Sequence, residues 1–119
     1  MDSKKESKKL QSEFKECQKM LTAIGDETRQ YLMSVMIMEK CGGTRVVDLA
    51  EKTHLSRPAV SHHMQILKDA GFVTSRKEGT MIYYSINADS AGIKKVRNLI
   101  DHIDELLKAE CSYRTVDSE

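Results

Sequence analysis

Leu55–Val73 reads LSRPAVSHHMQILKDAGFV. Ser56 stands where a helix N-cap would, and Pro58 falls in the first turn, where its missing N–H has no helical partner. Gly71 supplies the stop. The stretch is therefore predicted as one capped helix. Successive helical residues turn by about 100°. Ala59, Val60, Met64, Ile66, Leu67 and Ala70 gather on one side, with His63 near the centre of that arc. Ser61, His62, Gln65, Lys68 and Asp69 gather on the other. The two adjacent histidines thus take different parts. His63 is expected to be packed and hydrogen-bonded in the core, and His62 to face outward. Adjacent helical residues cannot converge on one ion, so the pair is not read as a metal site.

Just upstream, Thr44 can cap a short helix, RVVDLAEKTH, which reaches the first helix through a three-residue turn. A short helix, a tight turn and a capped helix with a polar outer face form a helix-turn-helix candidate. Just downstream, VTSRKEGTMIYYSIN holds two β-prone runs around Lys77-Glu78-Gly79, which reads as a hairpin. Ile82, Tyr84 and Ile86 fall on one face of it, and Met81, Tyr83 and Ser85 on the other. A hairpin in that place makes the candidate a winged one.

Farther out, Leu10, Phe14, Cys17, Leu21 and Ile24 recur at alternating spacings of four and three, which predicts one helix with a narrow apolar seam. Gly25 ends it and Asp26 begins another, whose body YLMSVMIM is apolar nearly all round and belongs in a core. CGG at 41–43 breaks that helix. A last helix is predicted from about Ser90 to Cys111. Its stripe is Ile93, Val96, Ile100, Ile103, Leu107 and Cys111, widened by Leu99 and Leu106. The expected fold is mainly α with a β-hairpin wing: a winged helix-turn-helix of order α-α-α-α-β-β-α. Residues 1–9, MDSKKESKK, are expected to be a flexible charged arm, 10–112 the folded domain with its terminal helices, and 113–119 a flexible tail.

Composition narrows the function. A chain of 119 residues suggests one domain with one modest core. No stretch resembles a signal peptide, and no run approaches the roughly 20 apolar residues that span a bilayer, so a cytoplasmic location is expected. Three scattered cysteines, with no C-x-C or C-x-x-C pair, suggest neither a disulfide framework nor a zinc site. The net charge of +1 says little about partners. Residues 54–86, however, carry an excess of two positive charges and residues 89–119 an excess of two negative ones. There is no phosphate-cradling glycine loop, nucleophile elbow or compact acid–base cluster, so no enzyme is expected.

The polar face points instead to double-stranded DNA. Ser61, His62 and Gln65 offer donors and acceptors to base edges without obstructive bulk. Ser56, Arg57, Lys68, Arg76 and Lys77 are placed to hold phosphates and the flanking minor groove. The alternative is a winged-helix protein-interaction module that does not bind DNA. The long seams of the first and last helices suggest a homodimer, which would set two recognition helices about 34 Å apart, one DNA turn.

Two stretches, TAIGDETRQYLM and VVDLAEKTHLSRPAVSHHMQILKDAGFVTSRKEGTMIYYSIN, resemble the ArsR/SmtB-type winged-helix repressors. The resemblance covers roughly residues 17–107 and is carried by L-S-x-x-x-V-S-H-H-x-x-x-L-x-x-A-G-x-V followed by R-x-x-G-x-x-x-Y-Y. It implies a homodimeric repressor that leaves an imperfectly palindromic operator when an inducer binds. One metal site of the family places a C-x-C before the Asp-Leu of the third helix. Arg45 and Val47 stand there, so that site is absent. A second uses D-x-H and then H-x-x-E. Asp89, His102 and Glu105 match it, but Ala91 replaces the first histidine, which leaves an incomplete site for a metal ion. Some relatives sense oxidants or reactive sulfur with two thiols, one on the last helix. Cys17, Cys41 and Cys111 are the candidates, although Ser34 stands where the family's other cysteine would be. Whether the inducer is a metal, a thiol-reactive species or absent stays open at this level.

Overall fold

The computed structural model describes residues 3–39 and 42–114, with side chains described as far as residue 109. Three helices come first: α1 (Ser3–Glu16), α2 (Gln18–Ile24) and α3 (Glu27–Met38). A two-residue strand β1 (Thr44–Arg45) precedes α4 (Val46–Thr53) and α5 (Arg57–Asp69). The hairpin strands β2 (Val73–Glu78) and β3 (Met81–Ile86) lead into the long α6 (Ala91–Arg114). This is the winged helix-turn-helix expected from the residue pattern.

Several local details differ from the residue pattern. The single N-terminal helix is two helices, interrupted at Cys17, whose backbone leaves the helical range at φ −93°, ψ 0°. Residues 3–9, expected as a flexible charged arm, form the first half of α1, and Glu6 and Glu13 on one face both reach His102 of α6. Thr44 does not cap α4. It is buried in β1, pairing with Tyr84, and Arg45 holds the N-cap position without a side-chain bond. The hairpin turns one step later than expected: Glu78 pairs with Met81, so Gly79 and Thr80 form the loop, with Gly79 at φ +62°. That left-handed φ suits glycine in a two-residue hairpin turn.

The sheet order is β1-β3-β2, antiparallel throughout. One core lies between the helices and this sheet. Leu32 of α3, Leu49 of α4, and Val60, Met64 and Leu67 of α5 are fully buried there, joined by Phe72 and Val73. Tyr84 and Ile86 close it from the wing, and Val96 from α6. The stripe read on α6 divides in two. Leu99 faces inward and is buried, whereas Ile93, Ile100 and Leu107, spaced by seven residues, stay exposed.

Gly43 at φ +122° brings the chain against β3, where an added Cβ would sit 3.0 Å from Ser85 Oγ and 3.1 Å from Tyr83 Cβ. Gly43→Ala therefore combines an unfavourable φ with crowding. It is expected to cost about 1–3 kcal/mol, read as a lower urea midpoint with an unchanged slope.

His102 is held between two carboxylates. Its Nε2–H donates to Glu6 Oε1 at 2.9 Å and its Nδ1–H to Glu13 Oε1. Both ring nitrogens donate only in the imidazolium. The bond to Glu6, then that to Glu13, raises the pKa above the ordinary imidazole value of 6.5. Folded-state protonation is thus favoured, so the tie is fully present below the ordinary value and is lost as pH rises through the raised one. Amide exchange across Ser3–Glu16 is expected to quicken over that rise more than intrinsic base catalysis requires, and His102→Gln is expected to flatten the excess.

Candidate nucleic-acid interface

The outward face of α5 is built from its first turn. Ser56, extended at φ −72°, ψ 152°, accepts the Ala59 N–H through Oγ at 3.2 Å, and Pro58 occupies the first turn as expected. The turn before it is His54-Leu55-Ser56. His54 is left-handed, at φ 59°, and donates its N–H to Ala50 O, while Leu55 N–H reaches the same carbonyl at 3.2 Å. These bonds satisfy the end of α4 and redirect the chain into α5. On the far side Ala70 and Gly71 close α5 against Ile66 O and Lys68 O, with Gly71 at φ +90°.

With Val60, Met64 and Leu67 locked inward, Ser61, His62, Gln65, Lys68 and Arg57 are all exposed. Gln65 Nε2 donates to Asp69 Oδ1 at 2.9 Å. That bond restrains the amide and offsets the acid beside it. Arg57, Lys68 and Lys77 are exposed and form no ion pair among the described residues. Anion-seeking charge thus lies on the helix and the wing.

Arg76 is differently engaged. Its Nε donates to Glu78 Oε2 at 2.6 Å and its Nη1 to Gly42 O at 2.6 Å, and the guanidinium lies 4.9 Å from the Tyr83 ring centroid. It braces the wing against the loop after α3. Arg45, which sequence reading passed over as a binding residue, pairs with Asp48 at 3.2 Å and donates to Met81 Sδ at 3.3 Å.

His63 sits inside, as its position on the wheel indicates. It is half-buried, with Nδ1 3.3 Å from Arg29 Nη1. Burial, foremost, lowers its pKa, against the pull of Asp26. Arg29 is the residue that the pattern did not reveal. Its Nε donates to Ala23 O at 2.7 Å and its Nη2 to Thr22 O at 3.2 Å. Its own backbone N–H caps onto Asp26 Oδ2 at 2.9 Å. Gln30 Nε2 adds a bond to Ile24 O at 2.7 Å. Two neighbouring side chains of α3 thus satisfy the last carbonyls of α2. The signal in the sequence is a pair of long donors placed a few residues after a helix-stopping Gly25.

The residues matched to a metal do not gather within one protomer. Asp89 precedes α6, whereas His102 lies more than three turns along it, about 16 Å from its first residue by helix rise. His102 already spends both ring nitrogens on Glu6 and Glu13. Among the described residues no three His, Cys, Asp or Glu groups could hold an ion. The set Asp89, His102 and Glu105 therefore does not fit a metal in this chain alone. Of the thiol candidates, Cys17 is buried at the break between α1 and α2, and burial pushes its thiol pKa up. It is a packed sulfur rather than an activated one. Cys41 and Cys111 lie outside the residues whose side chains are described.

A capped helix presenting a polar face beside a charged two-stranded wing defines a winged helix-turn-helix DNA-binding domain. Residues 26–75 match the family model described as "Bacterial regulatory protein, arsR family". The chain is 34% identical over 93 residues to an uncharacterised HTH-type transcriptional regulator of Methanocaldococcus jannaschii, covering 78% of this chain and 97% of that one. It is 38% identical to the transcriptional repressor SdpR of Bacillus subtilis over 55% of this chain and 69% of that one. It is 34% identical to an arsenical resistance operon repressor of Staphylococcus aureus over 62% and 68%. A solved ArsR-like transcriptional regulator from Rhodococcus sp. RHA1 shares the fold with a TM-score of 0.70 at 24% identity, over 87% of this chain and 94% of that one. The chain belongs to the ArsR family of winged-helix transcriptional regulators. No helix among its described residues is long and apolar enough to cross a membrane.

Proposed function

We propose that this chain is a homodimeric repressor that binds an operator in double-stranded DNA and is released by an inducer. It would act in the cytoplasm. Ser61, His62 and Gln65 read base edges. Ser56, Arg57, Lys68 and Lys77 hold phosphates, and Arg76 reaches the backbone only by giving up its partners in the wing. The observation that carries this reading is the unobstructed outer face of α5, flanked by Arg57, Lys68 and Lys77, which form no ion pair among the described residues. The dimer rests on the exposed line Ile93, Ile100 and Leu107 together with Phe14 of α1. The inducer acts by favouring a dimer whose two α5 helices no longer match successive grooves.

Fluorescence anisotropy across a salt series tests the roles. Gln65→Ala is expected to weaken operator binding by about 1–3 kcal/mol while leaving binding to unrelated duplex nearly unchanged. Lys77→Ala is expected to weaken both and to lower the salt slope by about 1. Equal losses on both duplexes for Gln65→Ala would remove it from base reading. A salt-independent signal throughout would favour a protein-interaction module instead.

A further inference from the structure

The inner side of α5 carries one polar contact with a reach beyond its own helix. Arg29 joins three helices at once. Its guanidinium donates to Thr22 O and Ala23 O at the end of α2 and lies 3.3 Å from His63 Nδ1 on α5. Its backbone is fixed in the first turn of α3 through Asp26. Three of its N–H bonds thus serve a geometry that no lysine could copy, because a guanidinium is a planar fork and an ammonium a point charge. The partner on α5 is equally specific. Arginine has no acceptor, so His63 Nδ1 must accept, and an imidazole accepts there only when neutral and carrying its proton on Nε2.

This placement matters for DNA binding. Val60, Met64 and Leu67 seat α5 in the core by close packing, and the driving force for burying them carries no direction of its own. The contact from His63 adds a restraint that depends on angle. His63 is one residue from His62 and two from Ser61 and Gln65, so a small rotation that breaks the contact moves the whole reading face. The other end of the strut is the end of α2, and α2 also packs on α6, the helix with the unpartnered apolar line. α2 also packs directly on α5, and the Arg29 guanidinium adds a polar link to that apolar contact.

We propose that Arg29 and His63 form the positioning pair that sets the orientation of α5 relative to α2, and through it the specificity of DNA binding. Neither residue touches DNA. This rests on the DNA-binding reading above. The pair also responds to acid. Asp26 and Arg29 from the first turn of α3, and His62 beside it, are the charged and titratable groups around the ring. Protonating His63 removes the acceptor and sets a second cation against the guanidinium, with Asp26 the one opposing charge.

The test uses the full-length protein and, as probe, the tightest duplex selected from a randomised pool of about 30 base pairs, with an unrelated duplex as control. Arg29→Lys and His63→Leu are each expected to lose about tenfold on the selected duplex and less than about twofold on the control. The double variant should be no worse than the poorer single one, because both remove the same contact. His63→Asn offers Oδ1 where Nδ1 stood and does not titrate. It should recover most of the affinity and abolish the loss of specific affinity expected of the natural protein as pH falls from 6.5 through the lowered imidazole value. Hydrogen exchange without DNA supplies an independent arm: Arg29→Lys should quicken exchange in α5 and at the end of α2 together. Additive losses, equal losses on the two duplexes, an asparagine variant no better than the leucine one, or unchanged exchange would each overturn the proposal. Should the natural protein select no duplex, the DNA-binding reading fails, and the exchange arm decides the coupling alone.

Discussion

Ile100→Glu is expected to turn a dimer into monomers and to cost at least about a hundredfold in operator affinity. Ile100 is 53% exposed in the protomer and lies between Ile93 and Leu107 on one line of α6. On the neighbouring face Leu99 is already buried and Val96 already packs on the core. The line is therefore surplus to the fold of one chain, and a partner's matching line would cover it about a twofold axis. A carboxylate there must either stay hydrated or be buried without a counter-charge, which costs several kcal/mol. Each operator half-site held alone loses the gain of linked binding, which is of order 10²–10⁴. Sedimentation velocity reads the assembly and anisotropy the affinity. Because the site is exposed in the protomer, the melting curve extrapolated to low concentration should keep its cooperativity. A variant that remains dimeric and binds normally would show that the two chains meet elsewhere.

Leu67→Ala is expected to remove about 2–5 kcal/mol of stability. Leu67 is fully buried on α5, in the same cluster as Leu32, Leu49, Val60 and Met64. It also has a direct neighbour in the chain direction, for Phe72 N–H donates to Leu67 O at 2.9 Å where α5 ends. The lost methyl groups leave a cavity walled by helices and sheet together, and such a wall relaxes only in part. A domain of this size has about 5–15 kcal/mol in total, so the change takes a large share. Urea unfolding should show a lower midpoint at constant slope. A loss below about 1 kcal/mol would mean that the site collapses around the smaller residue.

What the residue pattern revealed, and what it hid, divides by range. The cap at Ser56, the proline in the first turn, the stop at Gly71 and the inward arc of α5 are decided within a few residues, and each was readable. So was the inward place of His63. β1 was not, because two residues become a strand only when Thr44 meets Tyr84 across 40 positions of chain. The contact of residues 3–9 with α6 includes His102, which lies 96 positions from Glu6. In the site, exposure was legible and engagement was not. Arg76 and Lys77 look alike as letters, yet one is spent on Glu78, Gly42 and Tyr83 and the other is uncommitted. The spacing of Asp89, His102 and Glu105 fits a ligand pattern, while helix length keeps the first apart from the other two within one chain.

The first helix has no buried residue of its own and joins the remainder through the break at Cys17. It packs along α6 and is tied there by the His102 clamp, and the proposed second chain would add surface at Phe14. In the proposed dimer, winding of that segment and pairing of protomers would belong to a single equilibrium. Dilution should register in far-ultraviolet dichroism as lost helix, long before the wing or its neighbours melt.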